Sequence, residues 1–252
     1  MTQQLDCEVV DIVDLNPHAY SITLAAPHPF QGMTCGRFVH IKCGTGHMLR
    51  RPISICDWEG NRLRLVFEIR GEGTGWLAKR RRGDTLDVLG PLGVGFRVEP
   101  REKVLLVGGG IGVPPMLSCA RAARGGATAV LGFRSADHAL LLDEISARCH
   151  ETVICTDDGS LGEHCYVDAA VRRKLAEEEF TAVLACGPKP MLRAVAKAAA
   201  EHNTPCRVSM EERMGCGVGA CLVCAVRMAD GRMLHACKDG PVFDAAEVDW
   251  DE

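Results

Sequence analysis

The stretch Glu211-Glu212-Arg213-Met214-Gly215-Cys216-Gly217-Val218-Gly219-Ala220-Cys221-Leu222-Val223-Cys224 constrains this chain more than any other. With Cys237 it gives the spacing C-x4-C-x2-C-x12-C. Four thiolates brought to one place can hold a metal centre, and C-x4-C-x2-C is the ligand run of a plant-type [2Fe–2S] cluster. Gly215, Gly217 and Gly219 let the backbone pass close to such a group and turn its N–H groups toward sulfur. Four sulfurs also suit a structural zinc ion, although the four-residue loop and its glycines fit a cluster better. The expected metal ligands are Cys216, Cys221, Cys224 and Cys237. A cluster moves single electrons, so the rest of the chain should contain a source or a destination for them.

The chain has 14 cysteines in 252 residues. No basic-then-apolar leader opens it, so the cysteines read as thiols and metal ligands rather than disulfides, in a soluble cytoplasmic protein. Most of the ten outside the tail lie in apolar segments, where free Cys behaves as a small buried hydrophobe. A net charge of -4 gives no reason to expect nucleic acid or an anionic membrane as partner.

Up to about residue 98 the pattern is short alternating strands punctuated by Gly and Pro: Cys7 to Val13, Tyr20 to Leu24, Phe38 to Lys42, Arg62 to Ile69 and Thr85 to Leu89. These predict a small antiparallel barrel, with one helix near Trp76 to Arg80. From Lys103 apolar strands alternate with helices, the latter expected over Pro114 to Arg124, Ala139 to Arg148, Tyr166 to Glu179 and Met191 to Glu201. That alternation predicts a parallel sheet covered by helices. The fold class is therefore α+β multidomain: a β-barrel over residues 1–98, an α/β domain over 101–209 and a cysteine-rich subdomain over 210–252.

Four further constellations sit at turns or strand ends. Arg50-Arg51-Pro52-Ile53-Ser54, with Gly71-Glu72-Gly73-Thr74, offers a guanidinium, a hydroxyl and backbone N–H groups suited to a phosphate or a flavin edge. Gly108-Gly109-Gly110-Ile111-Gly112-Val113-Pro114-Pro115 ends a strand and opens a helix, where N–H donors and the helix dipole suit a pyrophosphate. The G-x-G-x-x-G fingerprint is not met. Cys186-Gly187-Pro188 ends another strand, and open parallel sheets bind ligands beyond such ends. Cys186 is thus either a contact beside a nicotinamide ring or a small buried residue closing a strand. Thr156-Asp157-Asp158-Gly159-Ser160 ends a third strand, as a site edge or as an ordinary polar turn.

In this order Arg-Pro-x-Ser, Gly-x-Gly-Thr, Gly-Gly-x-Gly-x-x-Pro and Cys-Gly-Pro resemble the ferredoxin–NADP reductase superfamily. The tail, through Lys238-Asp239-Gly240-Pro241-Val242-Phe243, resembles that of the electron-transfer subunits of NAD-dependent (type B) dihydroorotate dehydrogenases. This resemblance implies FAD contacts at Arg51, Pro52, Ile53, Ser54, Val66, Phe67, Glu68, Gly73 and Thr74. Many relatives carry Tyr or Arg where this chain has Phe67 and Glu68. It implies NAD contacts at Gly109, Gly110, Gly112, Pro114, Cys186 and Gly187, with Cys186 closest to the chemistry. It further implies a [2Fe–2S] cluster, a catalytic partner subunit carrying FMN, a heterotetramer of two of each, and a place in pyrimidine (UMP) biosynthesis. No paired acid and base suggests a dihydroorotate site in this chain itself. Subunits of cytoplasmic hydrogenases and glutamate-synthase-like reductases share the FAD and nicotinamide parts.

Overall fold

The computed structural model of the protein describes residues 2–100, 102–124 and 126–251. The domain limits placed at residues 1, 101 and 252 fall outside them.

Six strands close the N-terminal barrel: β1 (Gln3–Asp14), β2 (Ala19–Ala25), β3 (Phe38–Ile41), β4 (Arg51–Glu59), β5 (Arg62–Glu68) and β6 (Thr85–Leu92), in the order β1-β2-β5-β4-β3-β6. All neighbouring pairs are antiparallel. Alternation places Val39, Ile41, Ile53, Leu65 and Phe67 in the barrel interior. Strand β4 is the strand not foreseen. Its start is the Arg-Pro-x-Ser run, and a Pro at a strand's beginning is compatible with pairing. The expected helix lies earlier, at α1 (Glu72–Leu77), because the Thr74 hydroxyl accepts from the N–H groups of Arg70 and Gly71 and so sets the first turn there.

The second layer system contains β7 (Val104–Gly109), α2 (Pro114–Ala122), β8 (Ala127–Phe133), α3 (Leu142–Ser146), β9 (Glu151–Thr156), β10 (Glu163–His164), α4 (Val167–Glu177), β11 (Ala182–Cys186), α5 (Lys189–Glu201) and β12 (Cys206–Ser209). Its sheet runs β10-β9-β8-β7-β11-β12, parallel throughout. The chain leaves β7 in one direction and returns on its other side at β11, which makes the carboxyl ends of these two strands the switch point. Helix α3 is shorter than the expected Ala139 to Arg148. A 3-10 turn at Ala136–His138, an extended Ala139 and a left-handed Leu141 (φ 57) occupy the preceding segment, and Leu140 and Leu141 bury there instead.

In the tail, β13 (Ala225–Arg227) and β14 (Met233–His235) form a hairpin, and β15 (Val242–Asp244) adds antiparallel to β12 as the seventh strand of the sheet. The Val94 N–H donates to the Gly240 carbonyl and the Val242 N–H to the Val94 carbonyl, tying the tail to the barrel as well. Barrel and sheet are joined by α2 on β4, where Arg121 meets Asp57 at 2.9 Å, and by Arg64 with Glu144 at 2.6 Å. Among the described residues no helix is long and apolar enough to cross a membrane.

Candidate functional site

The glycine turn and the Cys186 turn meet at the switch point. Strands β7 and β11 pair from Ala182 with Val104 to Cys186 with Gly108, which brings Gly109 and Gly112 beside Cys186 and Gly187. The approach is as close as backbone allows. A Cβ on Gly112 would lie 2.5 Å from the Cys186 carbonyl carbon and 2.7 Å from the Gly187 nitrogen. One on Gly187 would lie 2.5 Å from Met191 Cε. Pro114 starts α2, with Gly110–Gly112 a 3-10 turn before it. Gly110, Gly112 and Gly187 thus lie together at the carboxyl ends of β7 and β11. Burial pushes the Cys186 thiol up to about 12, against the opposing effect of Ser209. It therefore stays protonated at neutral pH, which suits a nicotinamide contact or a buried strand end but not a thiolate nucleophile.

On the barrel, the structure brings Arg51 over Gly73. A Cβ there would meet Arg51 Cζ at 2.8 Å. Arg51 also donates to the Leu49 carbonyl at 2.5 Å, which holds the guanidinium at the mouth of α1. Thr74 is buried, and its hydroxyl is spent on the N-terminal turn of that helix. Pro52 and Ser54 pair with His40 and Phe38 across β3 and β4 and so share the barrel's outer face. Ile53 and Phe67 point inward, where Phe67 stacks on Tyr20, so what they offer a ligand outside the barrel is backbone. Val66 faces the apolar cluster between barrel and sheet, and Glu68 is paired with Arg70 at 2.8 Å. Strand β5 packs against the Gly110–Gly112 turn, so the expected flavin and nicotinamide residues adjoin. The Thr156–Ser160 turn is an internal polar turn: Asp158 accepts from the Ser160 N–H at 3.0 Å and from its hydroxyl at 2.6 Å.

The cysteine loop has the donors that a sulfur-rich anionic group needs. Backbone N–H groups of Val218, Ala220 and Cys221 reach Cys216 Sγ at 3.4, 3.2 and 3.4 Å, that of Cys216 reaches Cys221 Sγ at 3.4 Å, and that of Gly219 reaches Cys237 Sγ at 3.1 Å. Burial raises the Cys216 thiol, but the three N–H donors outweigh it and hold it at about 6. The hairpin β13–β14 explains the x12 spacing. Ala225 pairs with His235 and the Ala236 N–H donates to the Cys224 carbonyl at 2.9 Å, which returns Cys237 to Cys224. Cys216 interacts with Cys221 and Cys224 with Cys237, and the Cys216 and Cys237 thiols also influence each other, so the four share one neighbourhood as two interacting pairs. Cys224 and Cys237 are buried and Cys221 is exposed, so the loop lies at the surface.

One residue here escapes motif reading. His40 is fully buried on β3, against Gly217 of the cysteine loop. Burial first, then the charges of Arg50 and Arg51, hold its pKa down at about 4. The only trace in the sequence is a polar side chain within the apolar run Phe38-Val39-His40-Ile41.

Residues 211–249 match the iron-sulfur cluster binding domain of dihydroorotate dehydrogenase B, and residues 106–197 match the oxidoreductase NAD-binding domain. The chain is 42% identical over 241 residues to the dihydroorotate dehydrogenase B (NAD(+)), electron transfer subunit of Bacillus caldolyticus, covering 91% of this chain and 92% of that one. It is 37% identical over 257 residues to the same subunit of Fusobacterium nucleatum, covering 97% and 98%. Among solved structures, an NADH-dependent reduced ferredoxin-NADP oxidoreductase, described for flavin-based electron bifurcation, superimposes with a TM-score of 0.88 at 31% identity, over 97% of this chain and 90% of that one. A barrel, a glycine turn at the sheet's switch point and a surface cysteine loop, in one chain that matches these subunits nearly end to end, place this protein in the family of electron transfer subunits of dihydroorotate dehydrogenase B (NAD(+)).

Proposed function

We propose that the chain joins a nicotinamide to the flavin of a catalytic partner. Its cofactors are FAD, a [2Fe–2S] cluster and NAD. Such a cluster exchanges single electrons, a nicotinamide takes two as hydride, and a flavin does either, so the flavin belongs between the other two. The observation that carries the reading is the order of the three cradles. The Gly110–Gly112 turn packs on β5, the outer face of β3 and β4 follows, and the cysteine loop lies against that face with its tip exposed.

In this reading Gly109, Gly110, Gly112, Pro114 and Gly187 shape the nicotinamide crevice, and Cys186 presents a neutral thiol to it. Arg51, Ser54 and Gly73 hold the FAD by charge, hydroxyl and close backbone, while Pro52 walls its site. Ile53, Val66, Phe67, Glu68 and Thr74 supply backbone and support. Cys216, Cys221, Cys224 and Cys237 hold the cluster in the two pairs described above. A catalytic subunit meets the cysteine loop, where Val218, Leu222 and Val223 are each at least half exposed. We assign that subunit FMN and dihydroorotate oxidation, in a cytoplasmic heterotetramer of two of each chain serving pyrimidine (UMP) synthesis.

Co-expression with an FMN-bearing dihydroorotate dehydrogenase subunit tests this. The complex should turn over dihydroorotate with NAD+, while the isolated chain should oxidise NADH with artificial acceptors and leave dihydroorotate untouched. Dihydroorotate oxidation by the isolated chain would refute the division of labour. Yellow protein with stoichiometric zinc would refute the cluster. The similarity to the ferredoxin-NADP oxidoreductase favours one second reading, a flavin and iron–sulfur subunit of another complex. Affinity purification from the native cell distinguishes the two by the subunit that accompanies the chain.

A further inference from the structure

His40 is a buried polar residue whose surroundings offer it no formed hydrogen bond. Its ring is wholly inaccessible, and neither Nδ1 nor Nε2 has a hydrogen-bond partner among the described residues. The Cys216 backbone lies near enough to favour a proton on the ring, yet the geometry is not that of a hydrogen bond. A neutral imidazole carries one N–H donor, and a buried donor left unpaired is destabilising. Buried polar groups are almost always paired, so such an orphan calls for a partner.

Position says which partner. Along β3, Val39 and Ile41 enter the barrel core, so Phe38 and His40 face out. Phe38 joins the apolar cluster that also contains Cys224 and Cys237. On one side His40 is in register with Pro52 of the expected flavin edge. On the other, Gly217 comes so close that a Cβ there would lie 2.6 Å from His40 Nδ1. Gly217 also has φ 75, so both conformation and space hold that position to glycine. Thus the imidazole fills the space between the barrel face and the loop that starts at Cys216.

We propose that His40 is a positioning residue between the flavin and the cluster, its ring N–H donating to a sulfur of the centre held by Cys216, Cys221, Cys224 and Cys237. The acceptor is a sulfur in either form, a cysteine thiolate or an inorganic sulfide. This rests on the cluster assignment made above. The hydrogen bond strengthens as the centre gains negative charge, so it favours the reduced state. It also fixes the loop against the barrel, because ring and loop cannot shift independently.

The test is a redox titration of the purified holoprotein, following the cluster by EPR and the FAD by absorbance. His40→Leu removes the donor, and His40→Asn keeps an N–H. In His40→Leu the cluster should hold its electron about tenfold less firmly, which is 59 mV downward for one electron, with FAD and iron content and the flavin potential unchanged. His40→Asn should recover part of that shift. An unmoved cluster potential in His40→Leu, or the same drop in both variants, overturns the proposal, since mere packing would treat them alike. If His40→Leu fails to retain its cluster, labelling the otherwise wild-type holoprotein with 15N-histidine decides. Pulsed EPR of the reduced centre should show a weakly coupled histidine nitrogen that persists in His235→Asn, and its absence overturns the proposal. Wild-type protein without any cluster would sink the assignment beneath it, whereas a loaded wild type with indifferent variants sinks this inference alone.

Discussion

Replacing Gly112 by alanine puts one methyl group between two strand ends that have no room for it. The new Cβ would lie 2.5 Å from the Cys186 carbonyl carbon and 2.7 Å from the Gly187 nitrogen, with the carbonyl oxygen nearer still. All of these are backbone atoms, so no side chain can swing aside. To reach an ordinary van der Waals contact the two turns must part by roughly 1 Å. The ladder between β7 and β11, continuous from Val104 to Gly108, resists that movement. Overpacking of this kind costs about 1–3 kcal/mol, or roughly 3–10 °C in Tm for a chain of this size. The same displacement moves the donors that border the crevice. Misplacement by about 1 Å can cost a hundredfold, so NADH-driven flavin reduction should fall by about that factor in kcat/KM, close to 2.7 kcal/mol. Thermal melts and stopped-flow flavin reduction read the two effects, with FAD and iron content as loading controls. Gly46→Ala is the matched comparison, since a Cβ there meets nothing within 4 Å. A Gly112→Ala protein that melts with that control refutes the steric reasoning. One that is destabilised yet takes hydride at the wild-type rate refutes the placement of the nicotinamide crevice.

Arg51→Ala should weaken FAD retention by about 10–100-fold, the worth of a charged hydrogen bond, without unfolding the barrel; flavin fluorescence after dialysis measures it, and full retention would remove Arg51 from the flavin site. Cys221→Ala should abolish electron transfer from the dihydroorotate-oxidising partner while NADH-to-flavin reduction persists; equal loss of both would mean that the loop supports the flavin site rather than the partner-facing step. Stability should fall on the alkaline side. Burial pushes the thiols of Cys7, Cys56, Cys186 and Cys206 from 9.0 up to about 12. A folded-state pKa above the unfolded one means that folding favours the neutral thiol. This stability is complete below pH 9 and is lost as the pH rises toward 12, by about 1.4 kcal/mol per pH unit for each thiol. Denaturant titrations from neutral to alkaline pH should show that slope, and Cys56→Ala should remove one thiol's share of it; an unchanged slope counts against buried thiols as its source.

What the sequence determined by itself is what depends on neighbours along the chain. A strand followed by glycines and a proline-opened helix is a local arrangement, so the Gly108–Pro115 turn could be read directly, as could the alternation that separates barrel from parallel sheet. The C-x4-C-x2-C loop is local too, since the N–H donors to Cys216 come from Val218, Ala220 and Cys221 within the same run. Tertiary structure decided whatever depends on closure over long distances. That β4 is a full strand depends on β3 and β5 on either side of it, because Arg-Pro-x-Ser has no strand period of its own. That Cys237 returns to Cys224 depends on a hairpin of two three-residue strands, too short to announce itself. That Val242–Asp244 becomes the seventh strand depends on the free edge of β12. The same holds for His40, far from the cysteine loop in sequence and pressed against Gly217 in space. Residue type and spacing specify local donors and ligands, but only the packed fold brings a lone side chain on one strand into reach of a loop from another domain.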